Sequence, residues 1–311
     1  MADIKKVATR EAYGNALKEF GEKYDIVVLD ADLSKSTKTD GFKKTYPDRF
    51  VNVGIAEANM MSTAAGIASC GKTVFASSFA IFAAGRAFEQ VRNSICYANL
   101  NVKIGATHAG ISVGEDGGSH QAIEDISLMR SIPNMTVINP ADSVEARAAV
   151  EAAILHDGPV YLRFGRLATP VIYDAENYTF ELGKGKQLRD GSDVAIIATG
   201  LMVPEALDAA DTLAQEGIHA RVIDIHTIKP IDKDIIVKAA KETSFIVTAE
   251  EHSIIGGLGS AVAEVLCENA PAKLLRIGVQ DEFGRSGDPY VLLKEYGLSA
   301  ENIVRQVKTN L

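Results

Sequence analysis

Short apolar runs alternate with helix-forming runs along this chain, and that alternation limits the fold more than any other feature. Residues 24–29, 73–76 and 101–107 have the length and composition of buried strands, with helical runs at 9–20, 55–70 and about 80–98 around them. Thr9 can cap the helix that carries Ala12, Ala16, Leu17 and Phe20 at helical spacing. Two further strand–helix passes end at Val160-Tyr-Leu-Arg163-Phe-Gly-Arg166. From 168 to 191 the periodicity disappears, and Pro170, several glycines and mixed charge mark a linker. A second series follows, with strands at 194–198, 220–225, 245–248 and 274–277, helices between them, and a last amphipathic run at 299–307. Such alternation implies mainly parallel sheets with helices on both faces. The expected fold class is α/β, two mainly parallel-sheet three-layer domains: 1–170, a linker at 171–191, and 192–311.

Composition excludes some partners. The chain has 311 residues, 47% hydrophobic and 23% charged, an ordinary globular make-up. Its net charge is −9, without the basic cluster that nucleic-acid binding needs. No stretch approaches the roughly 20 apolar residues of a membrane span, and the first residues lack the apolar run of a signal peptide. Cys70, Cys96 and Cys267 are scattered without metal-ligand spacing, which fits free thiols in a reducing cytoplasm.

The most informative stretch is Phe50-Val-Asn-Val-Gly-Ile-Ala-Glu57-Ala-Asn-Met-Met61. A β-rich run meets Gly54, a helix-forming run of small residues starts at once, and one carboxylate, Glu57, stands among apolar neighbours. A lone acid in such a setting calls for a partner. The plain reading is a first-turn Glu favoured by the helix dipole. The stretch resembles the pyrimidine-binding signature of thiamine diphosphate enzymes in its transketolase form. The resemblance implies a pyrimidine-binding domain followed by a transketolase-type C-terminal domain. It gives Glu57 the task of hydrogen-bonding N1′ of the cofactor's aminopyrimidine, so that the cofactor's own nitrogen can take the C2 proton.

Other segments extend the resemblance. By spacing alone, Phe79 and Phe82 read as core packing on one face of a helix start; on the family pattern they stack on the aminopyrimidine. Gly85 stands where a third aromatic is often found. The loop from 108 to 120 reads on its own as solvated. Gly114-Glu-Asp116-Gly and Ser119-His120-Gln nevertheless resemble a transketolase substrate loop, with Gly118 in place of its proline. There Asp116, His120 and His108 lie beside the ketose hydroxyls, and histidine can donate or accept near neutral pH. Arg10, Ser36 and Arg166 fall at the family's sugar-phosphate positions, where a guanidinium fork matches phosphate oxygens. Asp32 falls at an acid close to the cofactor at a subunit interface. Ala249-Glu-Glu-His252-Ser-Ile-Ile-Gly-Gly-Leu-Gly-Ser260 has glycines between a strand and a helix, but not the spacing of a nucleotide loop. His226 and His252 read as structural.

The family's Gly-Asp-Gly motif, which holds the diphosphate through a divalent metal such as Mg²⁺, does not occur here. The resemblance therefore covers only the C-terminal half of a full-length transketolase. It implies a separate diphosphate-binding subunit that shares thiamine diphosphate and supplies the Mg²⁺ ligands, most simply in an A2B2 complex that includes a self-dimer. The implied reaction moves a two-carbon ketol unit from a ketose phosphate to an aldose phosphate. A split 1-deoxyxylulose-5-phosphate synthase or a 2-oxo acid dehydrogenase beta-type subunit is the alternative enzyme, since Arg163-Phe-Gly-Arg166 resembles the synthase's Arg-Tyr-Pro-Arg. A non-catalytic regulatory or scaffold subunit is the alternative of another class.

Overall fold

The computed structural model describes residues 5–311, so the reading of the first four residues lies outside the described part. A seven-stranded sheet runs in the order Thr227–Lys229, Thr136–Ile138, Val160–Arg163, Val102–Thr107, Thr73–Phe79, Ile26–Asp30, Phe50–Asn52. All of its pairings are parallel except that of the Thr227–Lys229 edge. The Ile26–Asp30 strand connects outward to the Phe50–Asn52 edge, and the next connection returns past it to Thr73–Phe79. Loops at the carboxyl ends therefore diverge at this point, the position where open α/β sheets bind ligands. A five-stranded sheet has the order Leu274–Val279, Ile246–Ser253, Val194–Ala198, Ala220–Asp224, Lys186–Arg189, with the last strand antiparallel. The α/β expectation holds for both sections.

The helix Glu57–Ala68 buries Met60, Met61, Ala64, Ala65 and Ala68 against the first sheet. Its small residues let it lie close to the Thr73–Phe79 strand, and a void at either methionine would cost about 2–5 kcal/mol.

Three readings need correction, and the linker stretch carries strands at its ends. Residues 34 to 41, a polar run whose composition reads as a loop, hold the short helix Ser34–Thr37 and the start of another, Asp40–Thr45. Their polar residues turn inward to a buried acid: Asp30 accepts from Leu33 N at 2.6 Å, Thr37 Oγ1 at 2.7 Å and Thr39 Oγ1 at 3.0 Å. The helix expected over 80–98 contains two π-wound turns, Ile81–Arg86 and Val91–Cys96. Phe79 ends a strand and does not start a helix. The stretch from 168 to 191 is ordered at both ends: Ala168–Pro170 pairs with Lys6–Ala8, and Lys186–Arg189 joins the second sheet. These strands are too short to show a period. The intervening residues are held by hydrogen bonds instead, from Tyr178 Oη to Glu145 and from Tyr173 Oη to Asp224. Pro289–Glu295, capped by Asp288, is a helix the apolar pattern did not reveal.

Candidate active site

The candidate residues gather at the carboxyl ends of the parallel strands. After Phe50–Asn52 the chain turns at Gly54, whose φ of +72° favours glycine. Asn52 holds this turn: its Oδ1 accepts from Gly54 N at 3.0 Å and its Nδ2 donates to Asp32 Oδ1 at 2.9 Å. Asp32 is thereby tied to the start of the helix that Glu57 opens, at a φ of +65°. Glu57 is 1% exposed. It is not a lone acid, because Arg86 Nη1 donates to its Oε2 at 2.8 Å. Sequence reasoning missed Arg86, which lies 29 positions away at the end of the π-wound turn.

An aromatic wall continues from this pair. The Arg86 guanidinium lies 4.5 Å from the Phe82 ring centre. Phe82 and Phe79 are nearly parallel at 5.9 Å and 10°, and Phe79 stacks on His108 at 3.8 Å. His120 meets Phe82 edge-on at 5.4 Å. Both histidines are oriented by hydroxyls: His108 Nδ1 lies 2.9 Å from Thr107 Oγ1, and His120 Nδ1 lies 3.0 Å from Ser119 Oγ. Burial, then the charges of Arg10 and Arg166, lower the His108 pKa to about 3. The ring is therefore neutral at ordinary pH and acts as a donor or acceptor without net charge.

Beyond His108 the site turns cationic. Arg10 Nη1 lies 3.0 Å from His108 Nε2 and donates to the Ser36 carbonyl at 3.0 Å. Ser36 thus meets Arg10 through its backbone carbonyl. Burial and the nearby Arg166 guanidinium lower the pKa of Arg10. Arg10 Nε is buried without a partner. Arg166 donates to the Val113 carbonyl and lies 3.3 Å from Glu115 and 3.8 Å from Asp116. Two guanidiniums placed to repel each other, one of them under-bonded, would gain from an anion between them.

The 108–120 segment is ordered by the second section of the chain. Residues Ile111–Asp116 form a short 3-10 turn, packed by Pro289–Glu295. Ser112 N donates to Glu251 Oε1 at 2.6 Å, and Ser286 Oγ donates to the Glu115 carbonyl at 2.5 Å. No local pattern pointed to Glu251. Arg163, in contrast, is not a site residue. It is 3% exposed and pairs with Asp125 through Nε at 2.8 Å and Nη2 at 3.2 Å. Glu250 accepts from Leu258 N at 2.6 Å and Gly259 N at 2.8 Å, so a carboxylate fills the helix start that superficially resembled a phosphate loop. His226 packs on Phe180 and His252 is fully buried. Among the described residues no three His, Cys, Asp or Glu side chains gather as a metal site. No helix among the described residues is long and apolar enough to cross a membrane.

The arrangement fits one part of thiamine diphosphate. A buried carboxylate with only Oε2 engaged, beside the Phe82 and Phe79 faces, suits a flat heterocycle that hydrogen-bonds at its edge.

Comparison with known proteins agrees on ancestry. Residues 5–171 match the family model for the transketolase pyrimidine binding domain, and residues 183–303 match that for the transketolase C-terminal domain. The 6-deoxy-6-sulfo-D-fructose transketolase subunit SqwH of a Clostridium species is 48% identical over 95% of this chain and 92% of its own length. Human transketolase is 39% identical over 97% of this chain but only 49% of its own length. A solved structure described as a split gene transketolase, inactive beta4 tetramer, superposes with a TM-score of 0.89 at 54% identity, covering 98% of both chains.

Proposed function

The chain belongs to the transketolase family, and from that premise we propose that it is the C-terminal subunit of a two-component transketolase working in the cytoplasm. Residues 1–170 form its pyrimidine-binding domain, 171–191 the linker and 192–311 the C-terminal domain in this reading. The observation that carries it is the buried Glu57 carboxylate linked through Arg86 to the Phe82 and Phe79 wall, with Arg10 and Arg166 beyond His108.

Thiamine diphosphate, when bound, supplies the carbon nucleophile that breaks and remakes a carbon–carbon bond beside a carbonyl. Glu57 holds the proton shared with N1′ of the aminopyrimidine. Phe82 and Phe79 stack on that ring, and Asp32 stands near it where the subunits meet. His108, His120 and Asp116 orient the sugar hydroxyls and move protons to and from them. Arg10 and Arg166 take the anionic end of the sugar, with Ser36 beside them holding Arg10 through its carbonyl. A phosphate suits these guanidiniums, and so does a sulfonate of the kind in the name of the Clostridium relative. The diphosphate and its Mg²⁺ draw their ligands from a separate N-terminal subunit, in an A2B2 assembly. The resulting reaction transfers a two-carbon ketol unit from a ketose phosphate to an aldose phosphate.

The test is ketol transfer from xylulose 5-phosphate to ribose 5-phosphate with thiamine diphosphate and Mg²⁺. It is run on the chain alone and with a diphosphate-domain partner. Activity only in the mixture is expected. Full activity in the chain alone contradicts the two-component reading. A cofactor-loaded complex that is inert toward sugar phosphates, but joins pyruvate to glyceraldehyde 3-phosphate, replaces it with the synthase reading.

A further inference from the structure

One residue stands where the reading above places the cofactor. The Arg86 guanidinium donates to Glu57 Oε2 at 2.8 Å and lies 4.5 Å from the centre of the Phe82 ring. These are the two contacts assigned to the aminopyrimidine, an edge hydrogen bond to Glu57 and a face contact on Phe82. A guanidinium can make both because it is planar, delocalised and lined with N–H donors.

We propose that Arg86 is a latch: in the cofactor-free chain it occupies the aminopyrimidine slot between Glu57 and Phe82, and it must swing out before thiamine diphosphate binds. The inference rests on the assignment of Glu57 and Phe82 to the cofactor.

The two partners are unequal in burial, which makes the exchange feasible. The Arg86 side chain is 50% exposed, whereas that of Glu57 is 1% exposed. Arg86 bonds no group but Glu57 among the described residues, and on leaving it enters water. Glu57 cannot follow, and a buried carboxylate without a partner is costly. The slot is therefore stable when filled by Arg86 or by the cofactor, and unstable when empty. Arg86 closes the π-wound turn Ile81–Arg86, whose Phe82 carbonyl accepts from Ala87 N at 3.3 Å. That winding places residues 82 and 86 on one side, and such turns are frequent at functional sites. Apparent affinity falls by the fraction of molecules in which the latch is open, so a latch closed nine times in ten lowers it about tenfold.

The test is calorimetric titration of thiamine diphosphate with Mg²⁺ into the assembled two-subunit complex carrying wild-type, Arg86→Ala, Arg86→Gln or Glu57→Gln chain. The cofactor-free chains are melted in parallel. Arg86→Ala should bind the cofactor ~3- to 10-fold more tightly while its cofactor-free chain melts lower. Arg86→Gln keeps a donor for Glu57 without the charge, so it should fold where Arg86→Ala fails and should also bind more tightly than wild type. Unchanged or weaker binding in the Arg86 variants, with binding weakened in Glu57→Gln, overturns the latch and keeps the cofactor assignment. Unchanged binding in Glu57→Gln overturns the assignment, and the latch with it.

Discussion

Glu251 offers a test of how the second section of the chain holds the loop from 108 to 120. It is 3% exposed, it accepts from Ser112 N at 2.6 Å, and burial pushes its pKa up from 4.5 to about 7. Between those two values the native carboxyl keeps a proton that the unfolded chain has released. Native protein binds the extra proton, so stability from this group is fully present below pH 4.5 and is lost as pH rises through about 7. The slope is about 1.4 kcal/mol per pH unit, which over the 2.5 units between 4.5 and 7 amounts to about 3 kcal/mol. Glu251→Gln has the shape of the neutral acid, still accepts from Ser112 N, and does not titrate. The variant should match wild type near pH 5 and exceed it by up to about 3 kcal/mol near pH 8. Urea unfolding followed by far-UV circular dichroism at pH 5, 6, 7 and 8 measures this. A difference between the two proteins that stays constant across that range refutes the reasoning.

Three further outcomes are expected. Asp125→Ala leaves Arg163 buried without its bidentate partner and should cost about 3–5 kcal/mol in the same unfolding measurement. In the assembled enzyme, Arg166→Ala and His120→Ala should raise KM for the sugar while calorimetry finds cofactor affinity spared. Equal loss of cofactor affinity would contradict the division of roles. The His108 imidazole resonances should not titrate between pH 5 and 8. With its pKa lowered from 6.5 to about 3, the stability carried by neutral His108 is intact above pH 6.5 and is lost as the pH falls toward 3.

The parts of the fold that the sequence displayed are those where burial dictates residue type. A central strand such as Val194–Ala198 is an apolar run because both faces are covered. The helix Glu57–Ala68 announced itself by small residues after Gly54. Segments held by side-chain hydrogen bonds to an acid outside the segment were hidden. The Asp30 cluster turns a polar stretch into helix, and Asp224 and Glu145 fasten the tyrosines of the expected linker. Glu251 and Arg86 were invisible for the same reason. Their partners lie 139 and 29 positions away, and only the tertiary fold brings them together. In the site, the resemblance named residues without their bonding: the Ser36 carbonyl, for example, accepts from Arg10 across 26 positions.

The central claim is that Glu57 governs proton removal from the cofactor in a two-component enzyme. The direct measurement is hydrogen–deuterium exchange at C2 of thiamine diphosphate bound to the assembled complex, followed by quenched-flow proton NMR for wild type and Glu57→Gln. Exchange in the variant should slow by roughly 10²- to 10⁴-fold, the usual contribution of a positioned acid–base group, with the fold unchanged by circular dichroism. Exchange at the wild-type rate in the variant would contradict the account.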